Sequence, residues 1–173
     1  MNKLKQNKGF TLIEMLACVI VVLLLTSVCG LAMNLALQSY KSNVFESDSQ
    51  MLESTINTYI ADVLRHTSSV SVEDDVVKIT NNAYMVHRGH IGTLEVAEGD
   101  GARLVLYKDE ETGSYSLLVG DASYSDGLYI ADFTLTYDEV TGVFTGSYTI
   151  KSTAVASANK VCNFAYRRIY QNN

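Results

Sequence analysis

The stretch that decides the fold is Gly9-Phe10-Thr11-Leu12-Ile13-Glu14 together with the apolar run 15–37 that follows it. The run contains no charged side chain and is interrupted only by Thr26, Ser27, Gly30 and Asn34. At about 1.5 Å of rise per residue, a helix of this length crosses roughly 30 Å of hydrocarbon. The sequence therefore predicts a transmembrane helix.

Glu14 lies at the N-terminal end of this span. An ionised carboxylate inside a membrane costs roughly 3 kcal/mol by the lower estimates unless it is paired, so we expect Glu14 to have a partner. One partner is local, because Thr11-x-x-Glu14 before an apolar run fits a helix capping box. The other is a positive charge on a second chain, and the two arrangements are compatible.

The same residues carry a family resemblance. A short basic leader ending in Gly9, followed by Phe10-Thr11-Leu12-Ile13-Glu14 and an apolar helix, resembles the N-terminal signal of type IV prepilins and pseudopilins. The resemblance implies that a prepilin peptidase cuts between Gly9 and Phe10 and that the new Phe10 amine is methylated. It also implies that Glu14 pairs with the N-terminal amine of a neighbouring subunit during assembly.

Elementary chemistry agrees with this assignment. A glycine at the cut lets the backbone enter an active site without a side chain in the way. Two opposite charges in a poorly solvated place recover their desolvation cost only when they meet. The implied partners are the peptidase, other pilin subunits, a pilus assembly platform protein and membrane lipid, with no cofactor and no metal.

The charge pattern sets the predicted location. The chain has a formal net charge of -6, and loss of Lys3, Lys5 and Lys8 with the leader changes it to -9. An acidic protein is a poor direct binder of nucleic acid, which requires basic surface. Lysines before the span place the N-terminus in the cytoplasm and the C-terminal domain outside it. A secretory signal peptide fits less well, because its apolar core is shorter and a small-residue cleavage site follows it.

We expect four segments: a leader at 1–9, a transmembrane helix at 10–38, an amphipathic outer half of the same helix at 39–66, and a β-rich globular domain at 67–173. The chain has no proline, so nothing forces a kink in a helix from about Thr11 to about Arg65. The polar stretch 46–50 is expected to lie between lipid and the outer domain without contacting either. The apolar face of the outer half is formed by Met51, Leu52, Ile56, Tyr59, Ile60, Val63 and Leu64.

From residue 67 onward the apolar period changes from helical to alternating, which predicts strands. Turns are indicated at Glu98-Gly99-Asp100-Gly101, Glu111-Thr112-Gly113 and Glu139-Val140-Thr141-Gly142. After Thr153 a helix and a strand fit equally well, and we favour a strand at 161–169. The fold class is thus α+β, a long helix packed on an antiparallel sheet. The predicted strands are 76–80, 83–88, 93–97, 103–108, 115–119, 128–137, 144–152 and 161–169.

Candidate chemistry in the outer domain is sparse. His87 and His90 read as surface histidines in a loop, since Arg88 between them disfavours a metal. The acidic groups 73–75, 109–111 and Asp121 with Asp126 lack the spacing of a calcium loop and read as solvated turns. No motif of a known enzyme class occurs, so we expect no catalytic residues.

The cysteines do not form a pilin-type disulfide within one subunit. Cys18 and Cys29 lie on the span, about 16 Å apart along a helix and therefore too far apart to bridge each other. Cys162 is then the only cysteine of the outer domain. It is expected to be a buried free thiol rather than a bridge between subunits.

These observations predict a structural subunit, a minor pilin or pseudopilin, of a type IV pilus-like filament. Such filaments serve adhesion, motility, DNA uptake or protein secretion with the same subunit architecture. The alternative is a single-pass, membrane-anchored extracytoplasmic binding domain that is not built into a filament. A membrane-tethered enzyme is disfavoured by the lack of a recognisable catalytic constellation.

Overall fold

The structure, a computed structural model, describes residues 11–95, 101–109 and 112–169. The predicted leader 1–9, Phe10 and most of the predicted turn at 98–101 lie outside the described residues. The architecture confirms the α+β prediction, with one long apolar N-terminal helix followed by an antiparallel sheet. The chain divides into two compact units between Lys41 and Ser42.

Helix α1 spans Leu12–Arg65 and is 54 residues long. It stays helical through Gly30, as expected for a chain without proline. The carbonyls of its last turn are satisfied by the outer unit: Asn81 Nδ2 donates to Val63 O at 2.9 Å, and the Ile169 amide donates to Arg65 O at 3.0 Å. Tertiary hydrogen bonds therefore end the helix where its own amides no longer reach.

In the part of the chain that the structure describes, the sheet has eight strands in the order β1-β2-β3-β4-β6-β7-β8, and β5 pairs with β4 off this path. All strand pairings are antiparallel. The strands are β1 Ser69–Glu73, β2 Val76–Asn81, β3 Val86–Glu95, β4 Ala102–Tyr107, β5 Tyr115–Leu117, β6 Leu128–Asp138, β7 Val143–Ser152 and β8 Asn159–Arg167.

Six predicted strands are confirmed with small shifts at their ends: 76–80, 103–108, 115–119, 128–137, 144–152 and 161–169. The predicted turn at 139–142 is also confirmed and joins β6 to β7. There Gly142 has φ +66°, and its amide donates to Asp138 O at 2.8 Å. The Asp138 carboxylate holds the loop by accepting from Val140 N at 2.9 Å, as aspartate commonly does in turns.

The strands predicted at 83–88 and 93–97 are confirmed at 86–88 and 93–95, and residues 96–97 lie outside the described residues. Their separation and the start at residue 83 are wrong, because a 3₁₀ helix at Asn82–Tyr84 is followed by one continuous strand, β3. Asn81 starts the 3₁₀ helix, since its side chain accepts from the amides of Ala83 and Tyr84. Gly89 resembles a turn residue in the sequence, yet it lies within β3. A β-carbon at Gly89 would overlap Tyr107 O, so glycine serves here to admit the neighbouring strand.

Strand β1 was not predicted from the sequence. It pairs with β2 through the two-residue turn Asp74-Asp75, whose residues have φ of 50° and 62°. A turn of this kind normally has the sequence Asn-Gly or Asp-Gly. Two aspartates meet the same backbone requirement without that sequence signal, which is why the hairpin was missed.

The predicted apolar face of α1 is right for five of its seven residues. Met51 and Tyr59 are wrong, being 72% and 44% exposed, because the sheet contacts a narrower stripe of the helix. The fully buried members are Leu52, Ile56, Ile60, Val63 and Leu64, and they form one core with apolar residues of the sheet.

The expectation that 46–50 contacts nothing is also wrong. Ser49 is fully buried, and its hydroxyl is satisfied by Glu46 O at 3.0 Å. Two other residues of the stretch also contact the rest of the outer unit. The Lys160 ammonium pairs with Glu46 at 3.4 Å, and Ser125 Oγ donates to Asp48 at 3.2 Å. A small hydroxyl residue lets the sheet approach the helix here, so packing begins earlier than polarity suggested.

Candidate functional site

The start of α1 is a reciprocal cap formed by Thr11 and Glu14. The Thr11 amide and hydroxyl donate to Glu14 Oε2 at 2.8 and 3.0 Å, and the Glu14 amide donates to Thr11 Oγ1 at 3.3 Å. The capping-box prediction is therefore correct. A carboxylate in the first turn also interacts favourably with the helix dipole.

The part of the helix that follows this cap, residues 15–40, is mostly apolar and is exposed within the single chain. Its few hydroxyls bond to carbonyls of the preceding turn: Thr26 Oγ1 to Leu23 O at 2.9 Å and Ser27 Oγ to Leu23 O at 2.8 Å. Hydroxyls satisfied in this way are tolerated in lipid. Among the described residues α1 is the single helix long and apolar enough to cross a membrane, and it fits a single-pass anchor. Cys18 and Cys29 are exposed on it.

In the outer unit His87 and His90 lie on β3 and not in a loop. His90 stacks on Tyr107 with ring centroids 4.4 Å apart. Arg88, between the histidines, makes two bonds of 2.8 and 2.9 Å to the Glu73 carboxylate. Within the described residues no three His, Cys, Asp or Glu side chains come together as a metal site.

Asp121 pairs with Arg103. Arg103 Nε donates to Asp121 Oδ1 at 3.0 Å, and its Nη1 donates to Leu128 O at 3.2 Å. The guanidinium also lies 4.5 Å from the centre of the Tyr124 ring. Because the Arg103 side chain is only 8% exposed, this group anchors the loop between β5 and β6 and is part of the structure rather than a binding site.

Cys162 is a buried free thiol, as predicted. It lies on β8 beside the hydroxyl of Tyr148, which donates to Asn57 Oδ1 at 3.1 Å. Burial raises the pKa of the Cys162 thiol to about 11. At neutral pH it is protonated and unreactive, and being only 1% exposed it is out of reach of a second chain.

A cavity of about 850 Å³ opens beside the solvent-facing side of α1 in the outer unit. Sequence reasoning did not find it, because its lining comes from α1, from Tyr84 and from the end of the sheet, which are far apart in the sequence. We call it the tyrosine cavity. It is lined by Ser54, Asn57, Thr58, Tyr59, Ala61, Asp62, Arg65, His66, Tyr84, Tyr166 and Ile169.

Asp62 organises the polar side of the tyrosine cavity. Its carboxylate accepts a hydrogen bond from the Tyr84 hydroxyl and lies 3.1 Å from His66 Nδ1. The hydrogen bond to Asp62 is the main cause that raises the pKa of Tyr84 to about 12. Tyr84 therefore remains a protonated donor across the physiological range.

Comparison with known proteins assigns the N-terminal segment. Residues 4–30 match the family model of the prokaryotic N-terminal methylation motif. No curated protein and no solved structure matches the chain significantly. The match includes Thr11, Glu14 and the first part of the exposed apolar helix, and a motif of this type indicates a structural protein of the pilin type. The N-terminal segment of this chain is therefore a prokaryotic N-terminal methylation motif, the type IV prepilin-type signal.

Proposed function

We propose that this chain is a structural subunit, a minor pilin or pseudopilin, of a type IV pilus-like filament. The observation that carries the proposal is the prepilin-type signal at 4–30 joined directly to one long, exposed apolar helix. A prepilin peptidase cuts after Gly9 and methylates the new amine of Phe10. The N-terminus is cytoplasmic before the cut, and the outer unit faces the extracytoplasmic side.

Assembly uses the same residues. In an isolated subunit Glu14 is held by Thr11, which lowers the cost of its charge at the membrane. In a filament the methylated Phe10 amine of a neighbouring subunit supplies a full opposite charge. Pairing in a poorly solvated place also sets the axial stagger of adjacent helices, because a displaced subunit leaves both charges unpaired.

The remaining partners follow from this role. Other pilin subunits pack against the apolar helix, whose large side chains are exposed in the single chain. Membrane lipid covers the same surface before assembly, and a pilus assembly platform protein draws subunits from the membrane. The chain acts without cofactor, metal or catalytic residues, and its acidic charge disfavours direct binding of nucleic acid.

The processing step is tested by intact-mass spectrometry of the membrane form in cells with an active prepilin peptidase. We expect an N-terminal methyl-Phe10. Gly9→Val should block the cut and leave insertion unchanged, since it obstructs the scissile bond without shortening the apolar run. Gly30→Val is the matched control: nothing lies within 4 Å of its added β-carbon, and it should be processed normally.

An intact Met1 or Asn2 terminus in the wild-type protein would overturn the processing proposal. It would favour the alternative, a membrane-anchored extracytoplasmic binding domain that stays outside filaments. The specific observation behind that alternative is the tyrosine cavity of the outer unit.

A further inference from the structure

The tyrosine cavity is an open depression, since most of the residues that line it are exposed, and its size suits a small ligand. Its volume of about 850 Å³ lies within the usual range of roughly 300–1,000 Å³ for small-molecule pockets. Small side chains of α1, Ser54, Thr58 and Ala61, line it together with three tyrosines.

Two of the rings are already fixed in place. The Tyr84 hydroxyl bonds to the Asp62 carboxylate, and the Tyr166 hydroxyl donates to Asn57 O at 3.1 Å. Both partners belong to α1, so each ring is held against the helix by its polar end. The Tyr166 ring is already stacked on Phe164, with ring centroids 5.6 Å apart. Tyr84 is therefore the fixed ring on which a ligand can stack at little extra cost in side-chain entropy. Tyr59, which is 44% exposed, is the freer third aromatic group.

The charges of the cavity disfavour two common ligand classes. Asp62 and Arg65 carry opposite charges, so the site is close to neutral within a chain of net charge -6. A phosphate group would face the Asp62 carboxylate. An organic cation would meet Arg65, whose guanidinium already lies 5.3 Å from the centre of the Tyr166 ring. The remaining chemistry suits a neutral ligand with both apolar and hydroxyl surfaces.

We propose that the tyrosine cavity binds a neutral saccharide of about two or three pyranose rings, a size that matches its volume. The C–H face of a pyranose packs on a tyrosine ring, which is apolar on its face and polar at its edge. Its hydroxyls donate to the Asp62 carboxylate and accept from the imidazole of His66 and the hydroxyl of Ser54. This activity is independent of assembly into a filament.

The test uses the full-length protein in amine-oxide detergent micelles, which carry no sugar headgroup to compete. The probes are chitotriose and maltotriose, and binding is measured by saturation-transfer NMR. We expect at least one probe to bind and Tyr59→Ala to weaken it about tenfold, the effect of losing one stacked ring. Asp62→Asn should also weaken binding, because the amide accepts fewer hydroxyl bonds than the carboxylate.

Tyr115→Ala is the matched control, since Tyr115 is 52% exposed on β5 and does not line the cavity. Its affinity should stay within twofold of wild type. Near-UV circular dichroism verifies that each variant keeps its tertiary packing. Absence of binding by both probes at about 10 mM, tenfold above a weak Kd of 1 mM, overturns the proposal.

Two further outcomes would also overturn it. Equal losses in Tyr59→Ala and Tyr115→Ala would show unspecific stacking on exposed tyrosines. If neither sugar binds but Tyr59→Ala reduces incorporation into sheared filaments, the cavity is a contact between subunits. Processing after Gly9 is measured separately by mass spectrometry, so failure of the saccharide site leaves the filament proposal untouched.

Discussion

Thr11 and Glu14 hold each other at the first turn of α1, with the Thr11 amide 2.8 Å from Glu14 Oε2 and the Glu14 amide 3.3 Å from Thr11 Oγ1. A helix cap alone explains this geometry, and so does a carboxylate kept in place for a later partner. The two roles differ in whether the negative charge is required.

Substitution of Glu14 by Gln and by Val separates these roles. Gln keeps the capping bonds and removes the charge, because glutamine also serves at this position of a capping box. If Glu14 pairs with a neighbour's amine, both Glu14→Gln and Glu14→Val should enter filaments poorly while remaining inserted and processed. The measurement counts tagged subunits in sheared filaments after co-expression with the cognate pilins. Normal incorporation of Glu14→Gln would show that the side chain is only a cap.

The division of the chain at Lys41/Ser42 predicts where the outer unit can be cut free. A chain beginning at Ser42 should be soluble and unfold cooperatively. A chain beginning at Gln50 should be less stable by roughly 3 kcal/mol or more, because it lacks buried Phe45 and the Glu46 partner of Lys160. Urea unfolding of both chains measures the difference, and equal midpoints would contradict the packing of the 45–49 segment.

Gly89 should be the least replaceable glycine of the sheet. A β-carbon there would overlap both Tyr107 O and the side chain of Val86, so Gly89→Ala must separate β3 from β4. We expect a loss of about 3 kcal/mol or failure to fold. Gly120→Ala is the control, since nothing lies within 4 Å of its β-carbon and its φ is -57°. Thermal unfolding compares them, and similar shifts in both variants would contradict the contact.

The raised pKa of Cys162 predicts a pH dependence of stability. The thiol titrates near 9 when unfolded and near 11 when folded, because burial disfavours the thiolate. Its stabilising contribution is therefore complete below pH 9 and is lost as the pH rises from 9 to 11. Cys162→Ala removes this titration. Between pH 9 and pH 11 the free energy of unfolding of the wild type should therefore fall by roughly 2 kcal/mol more than that of Cys162→Ala. Parallel curves for the two proteins would show that the thiol does not contribute.

The apolar span and its cap could be predicted from sequence because their determinants are local. An uninterrupted apolar run specifies a spanning helix wherever it occurs, and the three-residue spacing of Thr11 and Glu14 places their groups within bonding distance in one helical turn. The hairpin of β6 and β7 could also be predicted from the sequence. Its turn is specified by two residues within it: Gly142 adopts a positive φ, and Asp138 accepts a hydrogen bond from a backbone amide of the turn.

The tertiary structure alone decided which residues of α1 face the sheet. Helical periodicity grouped Met51 and Tyr59 with Leu52, yet the sheet covers a narrower stripe that instead takes in Phe45 and Ser49. Likewise, Gly89 is a strand residue only because Tyr107 O lies against it. The tyrosine cavity joins Tyr59, Tyr84 and Tyr166 from three distant parts of the chain. Such features depend on contacts between residues far apart in sequence, and no local pattern encodes them.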